Sequence, residues 1–140
     1  MPNRNAAAGA AALAIVVLGA CGSGNQTATS NAASVNVDGK DTTIHAVKCS
    51  QLEWYRTIDI GGDLMGATVV VDERAQPLTT ISVRIKNVAG FTGMYSKGGG
   101  SDASLSFSGD KYTTSGTANG YKTDKPNEPA SATFKISATC

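Results

Sequence analysis

The sequence predicts an all-β protein: a single antiparallel β-sandwich or small barrel of about eight short strands, carrying one disulfide. Three observations predict it. Apolar and polar residues alternate along most of segment 35–140, which is the period of a half-buried strand. Gly and Asp-Gly steps interrupt that alternation at short intervals, as tight turns require. Charged residues make up only 16% of the chain while Gly, Ser and Thr abound, a mixture that suits strands and turns better than helices.

The N-terminal elements come before any fold. Met1 to Asn5 is polar with Arg4 as its one charged side chain, and Ala6 to Leu18 is an uncharged, mostly aliphatic run. That run has the length of a signal-peptide core. It is shorter than the roughly 20 apolar residues a permanent membrane helix needs. It ends in Leu18-Gly19-Ala20-Cys21, the pattern of a bacterial lipobox, in which small residues admit a signal peptidase and the cysteine thiol receives a lipid. Residues 1–20 are therefore expected to be a lipoprotein signal peptide. Cys21 is expected to carry the lipid that holds an extracytoplasmic chain to the cell membrane. Residues 21–34 form a lipidated flexible tether, because Gly22 to Ser34 contains no charged and no large apolar residue. Thr27 and Thr29 are candidate O-glycosylation points within it.

Removing Arg4 with the signal leaves 11 basic against 11 acidic side chains. A neutral surface excludes the basic face a nucleic-acid partner requires. With Cys21 assigned to lipid, Cys49 and Cys140 remain, and outside the cytoplasm two such thiols predict a disulfide. A metal site is the alternative, weakened by the absence of a CxxC pair and by the single histidine. No cofactor is expected.

The strands follow in order. Val35 and Val37 run into Asp38-Gly39, a hairpin signal, with a return strand over Thr42 to Cys49. Leu52, Trp54, Ile58 and Ile60 are read as one inward face, ending at Gly61-Gly62-Asp63, and Ala67, Val69 and Val71 continue the pattern. Leu78 to Val88 is the longest strand, with Ile81, Val83 and Ile85 inward and Ser82, Arg84 and Lys86 outward. Phe91, Gly93 and Tyr95 precede the Gly98-Gly99-Gly100 turn, and Leu105 and Phe107 alternate with serines. Lys111 to Tyr121 is a Thr- and Gly-rich strand, followed by a loop holding Pro126 and Pro129. Ala132, Phe134, Ile136, Ala138 and Cys140 then share one face, which places the second disulfide cysteine on the buried side of the last strand.

Catalytic patterns are scarce. His45 is the one histidine, and its parity with Val47 and Cys49 predicts a packing role in preference to a triad. Asp72 and Glu73 are neighbours that point to opposite faces, so they make no glycosidase pair and are read as turn-capping and solubilising residues. The Asp59 to Asp63 segment offers too few ligands for calcium. No helix with a lysine follows the glycine triplet, so it is no phosphate cradle. Trp54 is assigned to the core, and Tyr55, on the other face, is the candidate for an exposed binding patch. These readings predict a non-enzymatic protein.

Val35-Asn36-Val37-Asp38-Gly39-Lys40-Asp41, Ile58-Asp59-Ile60-Gly61-Gly62, Tyr112-Thr113-Thr114-Ser115-Gly116-Thr117-Ala118 and Phe134-Lys135-Ile136-Ser137-Ala138-Thr139-Cys140 resemble, in order, segments of the mycobacterial nineteen-kilodalton lipoprotein antigens. The resemblance implies a cell-envelope lipoprotein whose acylated Cys21 engages host Toll-like receptor 2, with an antigenic β domain bridged by Cys49 and Cys140. Two departures stand out. The tether has only Thr27 and Thr29 where family members often carry longer glycosylated Thr-rich stretches, and Leu52-Glu53-Trp54-Tyr55 is bulkier than the family segment. The alternative function is a carrier that binds a lipid or other apolar ligand inside the β domain. That would require an apolar cavity beside a filled core.

Overall fold

The structure is a computed structural model that describes residues 32–140. Ten strands make up the domain: β1 (Ala33–Val37), β2 (Lys40–Ile44), β3 (Val47–Leu52), β4 (Tyr55–Gly61), β5 (Gly66–Asp72), β6 (Thr79–Val88), β7 (Phe91–Ser96), β8 (Ser104–Ser108), β9 (Lys111–Lys122) and β10 (Lys125–Thr139). Among the described residues there is no helix. All pairings are antiparallel, in the order β2-β1-β10-β9-β7-β6-β5-β4-β3, with β8 beside the first half of β9 and β7 beside its second half. The two terminal strands of this order, β2 and β3, are consecutive in the chain and separated only by His45-Ala46. One continuous stretch therefore pairs with β1 in its first half and with β4 in its second. The sheet curls into a nearly closed barrel because covalent continuity joins its two edges, and an edge that is joined offers fewer unpaired groups to another chain.

The interior follows period two wherever pairing is regular. Val35 and Val37 of β1, Val69 and Val71 of β5, and Ala132, Phe134, Ile136 and Ala138 of β10 all point inward and are buried. Each fully buried branched aliphatic contributes about 1.5–3 kcal/mol relative to exposure. The first strand begins at Ala33, itself buried, two residues ahead of the expected domain boundary at Val35.

The structure corrects the sequence reading at six places. The strand count is ten, because the expected return strand Thr42 to Cys49 breaks at His45-Ala46 and changes partner. His45 at this kink is exposed, not packed inward. Leu52 and Trp54 do not share a core face with Ile58. Glu53-Trp54 forms the two-residue turn between β3 and β4, with Glu53 at φ 55°, and both Leu52 and Trp54 are exposed. Ile81 is not inward with Val83. A register shift sets Val71 opposite Thr80 while Val70 stays opposite Ser82, so Ile81 is the extra residue of a bulge and Thr80 takes the buried position. The prolines lie within β10, where the ladder skips from Lys125 to Pro129, so the intervening residues need not donate to it. Cys140 has the inward parity of its strand but falls just past the end of β10 and is exposed.

Two buried polar contacts complete the interior. The Thr80 and Thr114 hydroxyls share a hydrogen bond of 2.8 Å across the barrel, so neither is left unsatisfied. The Tyr95 hydroxyl accepts the Ala103 amide at 3.1 Å and pins the glycine-rich β7–β8 loop, while its ring packs against Phe134 at 6.1 Å. Gly116 is small for a reason, since a Cβ there would lie 3.0 Å from the Phe134 ring and 3.2 Å from Ala103.

Candidate functional site

Side-chain chemistry concentrates at one end of the barrel, where β3 turns into β4, β5 runs out, and β9 begins next to the end of β10. Cys49 on β3 is bonded to Cys140 with 5.9 Å between Cα atoms, and the Cys140 amide donates to the Asp110 carbonyl in the β8–β9 turn. The bond thus ties an edge strand of the sheet order to the end of the chain, as the cysteine arithmetic predicts. The metal alternative for these two thiols is excluded by it.

Glu73, one residue beyond β5, is the hub of this end. Its carboxylate accepts the Tyr112 hydroxyl at 2.6 Å, the Arg56 Nε at 3.0 Å and the Gln51 amide at 3.0 Å, while its own amide donates to the Trp54 carbonyl. The Tyr112 bond, joined by those of Arg56 and Gln51, holds the Glu73 carboxyl below its ordinary range. Burial, reinforced by the same bond, pushes the Tyr112 hydroxyl up to about 12. Sequence reading assigned Glu73 to solubility and missed this role. Its partners come from β3, β4 and β9, and no spacing in the chain announces such a meeting. Asp72 does cap the turn: it accepts the Arg74 amide at 2.9 Å and pairs with the Arg74 guanidinium at 3.1 Å.

Beside this network the hairpin tip is wet and aromatic. Arg74 stacks over the Trp54 ring at 4.5 Å and lies 5.8 Å from the Tyr55 ring. Tyr55, read as the exposed aromatic, is half-buried, whereas Trp54 and Leu52 face water. Phe107 on β8 is also exposed and packs its ring against Tyr112 at 4.5 Å.

The remaining sequence candidates are scattered. Asp59 accepts the Thr68 hydroxyl, and the Asp63 carbonyl accepts from Lys86. Among the described residues no three His, Cys, Asp or Glu side chains gather as a metal set, and His45 has no side-chain hydrogen bond. The glycine triplet is a turn between β7 and β8. The lipobox Leu18 to Cys21, the signal segment, and Thr27 and Thr29 lie outside the described residues.

The carrier alternative requires an interior cavity, and the interior is filled by contiguous side chains from nearly every strand. The depressions found open at the surface. One of about 340 Å³ runs past Asp59, Asp63, Arg84 and Lys86, and one of about 450 Å³ past Asp38, Lys40, Lys122 and Asp124. A third, of about 290 Å³, lies against Met94 and Tyr121 on the outer wall. Charged turns line the first two, which is the wrong chemistry for an acyl chain.

Residues 26–140 match the family described as Mycobacterium 19 kDa lipoprotein antigen. The chain is 61% identical over 140 residues to a protein of Mycobacterium indicus pranii named as a lipoprotein, covering all of both chains. It is 36% identical over 132 residues to the probable lipoprotein LppE of Mycobacterium tuberculosis, covering 94% of each. It is 34% identical over 108 residues to lipoprotein LpqH of Mycobacterium bovis, covering 76% of this chain and 67% of that one. These relatives carry lipoprotein names rather than enzyme names, in keeping with membrane-associated envelope proteins. The resemblance read from the ordered segments and the two-cysteine layout therefore holds: the chain belongs to the mycobacterial 19 kDa lipoprotein antigen family.

Proposed function

We propose that the chain is an N-terminally acylated lipoprotein of the cell envelope that displays its β-barrel outside the membrane, with the acylated N-terminus serving as a ligand for host Toll-like receptor 2. The observation that carries this reading is Leu18-Gly19-Ala20-Cys21 at the end of an uncharged aliphatic run. The lipoprotein names of relatives that align over the whole chain support it. Display rather than catalysis suits a domain whose single histidine is exposed and whose adjacent Asp72 and Glu73 carboxylates are engaged by Arg74 and by Arg56, Gln51 and Tyr112. Stable anchoring takes two acyl chains or one chain with a second signal, so in this reading the Cys21 lipid carries more than one chain. In this reading Thr27 and Thr29 carry any glycan.

The test is metabolic labelling with an alkyne palmitate in a mycobacterial host. Label on the Cys21 peptide and retention in the membrane fraction are expected, with loss of both in Cys21→Ala. The wild-type protein should activate a Toll-like receptor 2 reporter cell line and the Cys21→Ala protein should not. Unchanged partitioning of Cys21→Ala would refute the anchor, and unchanged receptor activation would refute the lipid as ligand. The intact mass of the mature chain, with or without hexose increments, decides the glycan.

A further inference from the structure

Three large apolar side chains stand exposed at the same end of the barrel: Leu52 at 77%, Phe107 at 47% and Trp54 at 39%. They are neighbours through a short series of contacts. Phe107 packs on Tyr112, Tyr112 bonds Glu73, and the Glu73 amide bonds the Trp54 carbonyl. The β3–β4 hairpin does not require Leu52 and Trp54 outside, because Leu52 borders and Trp54 sits in a two-residue turn that polar residues would make as well.

This is also the end from which the N-terminal segment joins the domain. Ser34 lies opposite Ser137, which places Ala33 beside Ala138, and Ala138 lies opposite Tyr112. Ala33 is thus two strand spacings, about 10 Å, from Tyr112. Cys21 precedes Ala32 by eleven residues, whose reach is at most about 40 Å even fully extended. A lipid on Cys21 therefore keeps this end of the barrel near the bilayer. Of the other exposed large apolar residues, Leu64 and Met65 sit in the β4–β5 turn at the opposite end of β4, about 20 Å away along the strand, while Met94 and Tyr121 lie on the outer wall.

The geometry points to a second contact with the membrane, made by the protein itself: Leu52, Trp54 and Phe107 seat in the interfacial layer of the bilayer that holds the Cys21 lipid. This inference rests on the anchor proposed above. The chemistry fits an interface rather than a hydrocarbon core. A tryptophan ring with one polar edge favours headgroup depth, and Arg74, stacked on that ring, keeps its guanidinium at the same level. Glu53 in the turn and Asp110 in the β8–β9 turn flank the patch and limit it to a shallow seat. They also make a zwitterionic surface a better fit than a strongly anionic one. Docking fixes the orientation of the barrel, so that the opposite turns, Asp38-Gly39 and Thr123-Asp124, face outward.

Trp54 is the only tryptophan in the chain, so its fluorescence reads the contact directly. The test places the mature lipoprotein, purified from membranes, on phosphatidylcholine vesicles whose acyl chains carry bromine near the headgroup. The mass of the Cys21 peptide is recorded on the same sample. Strong quenching with a blue-shifted emission is expected for the wild type. Leu52→Glu should cut the quenching several-fold, and Leu64→Glu should leave it as in the wild type. Unquenched Trp54 at saturating lipid overturns the docking whatever the state of Cys21. A Cys21 peptide without acyl mass overturns the anchor alone. Quenching that is equal in Leu52→Glu and wild type, or a blue shift that follows protein concentration without lipid, also overturns the docking, the latter by showing that the patch covers a second copy.

Discussion

The two ends of the barrel are held together by different chemistry. At the end where the chain joins the domain, the disulfide and the half-buried Glu73 carboxylate connect β3, β4, β9 and Cys140. At the other end, exposed hydrogen bonds do the work. Asp38 accepts from the Thr133 amide and hydroxyl, Asn36 accepts from the Gly39 amide, and the Thr123 amide donates to the Gly90 carbonyl. Relative to Ala33, where β1 begins, the first end is the near one and the second the far one. The disulfide and the half-buried Arg56–Glu73 ion pair thus lie at the near end, and the far turns rest on exposed hydrogen bonds.

The sharpest way to break this comparison is to cut the disulfide. Replacing Cys49 and Cys140 together by serine frees a 91-residue separation and should lower stability by about 4–5 kcal/mol in the chain-entropy account, read from urea unfolding. A loss under about 1 kcal/mol would show that barrel closure comes from strand pairing alone.

Glu73→Ala follows, with an expected cost of about 2–3 kcal/mol, because it orphans the Tyr112 hydroxyl and the Arg56 guanidinium together. The same carboxylate gives a signed pH dependence. Its folded value lies below its unfolded value, so its stabilisation is present above the ordinary glutamate range and is lost as pH falls through the folded value. Tyr112 acts at the other limit. Its folded value of about 12 lies above the ordinary tyrosine value of 10.0, so its contribution is full below 10.0 and is lost as pH rises toward about 12. Thermal melts across both ranges check the two signs, and Glu73→Ala should flatten the acid limb.

At the far end Asp38→Ala should cost less, about 1–2 kcal/mol, from two lost hydrogen bonds and a left-handed φ of 49° that alanine tolerates poorly. A cost equal to that of Glu73→Ala would erase the contrast between the ends. Smallest of all, Leu52→Glu and Leu64→Glu should each change stability by no more than about 0.5 kcal/mol, since both side chains already face water. A larger loss from Leu52→Glu would make it a packing residue and remove it from the surface patch.

How far the chain could be read depends on the strand. Along β10 each inward residue from Ala132 to Ala138 follows from alternation, because its pairing with β9 is unbroken over that length. Along β6 the same logic assigns Ile81 to the core, and the bulge gives the place to Thr80. A bulge has no composition of its own here, and Thr80 is accepted inside only because Thr114 on β9 meets its hydroxyl. The Leu52 to Tyr55 turn was equally silent. It carries Glu53 at positive φ where Gly or Asn would have marked it. Glu73 was legible as a carboxylate at a strand end, but its three donors lie 17, 22 and 39 residues away.

Sequence alone determined the all-β class, the Asp38-Gly39 hairpin, the alternating core positions and the pairing of the two cysteines left after Cys21. These depend on local periodicity, on turn stereochemistry and on counting, which need no partner strand. Tertiary structure decided that the sheet closes as a barrel through the His45-Ala46 kink, that Thr80 displaces Ile81, that Glu73 gathers one end, and that Trp54 faces water. Each of these turns on which strands meet across the barrel. The free energy of such a meeting belongs to residues distant in the chain, and no single segment carries it.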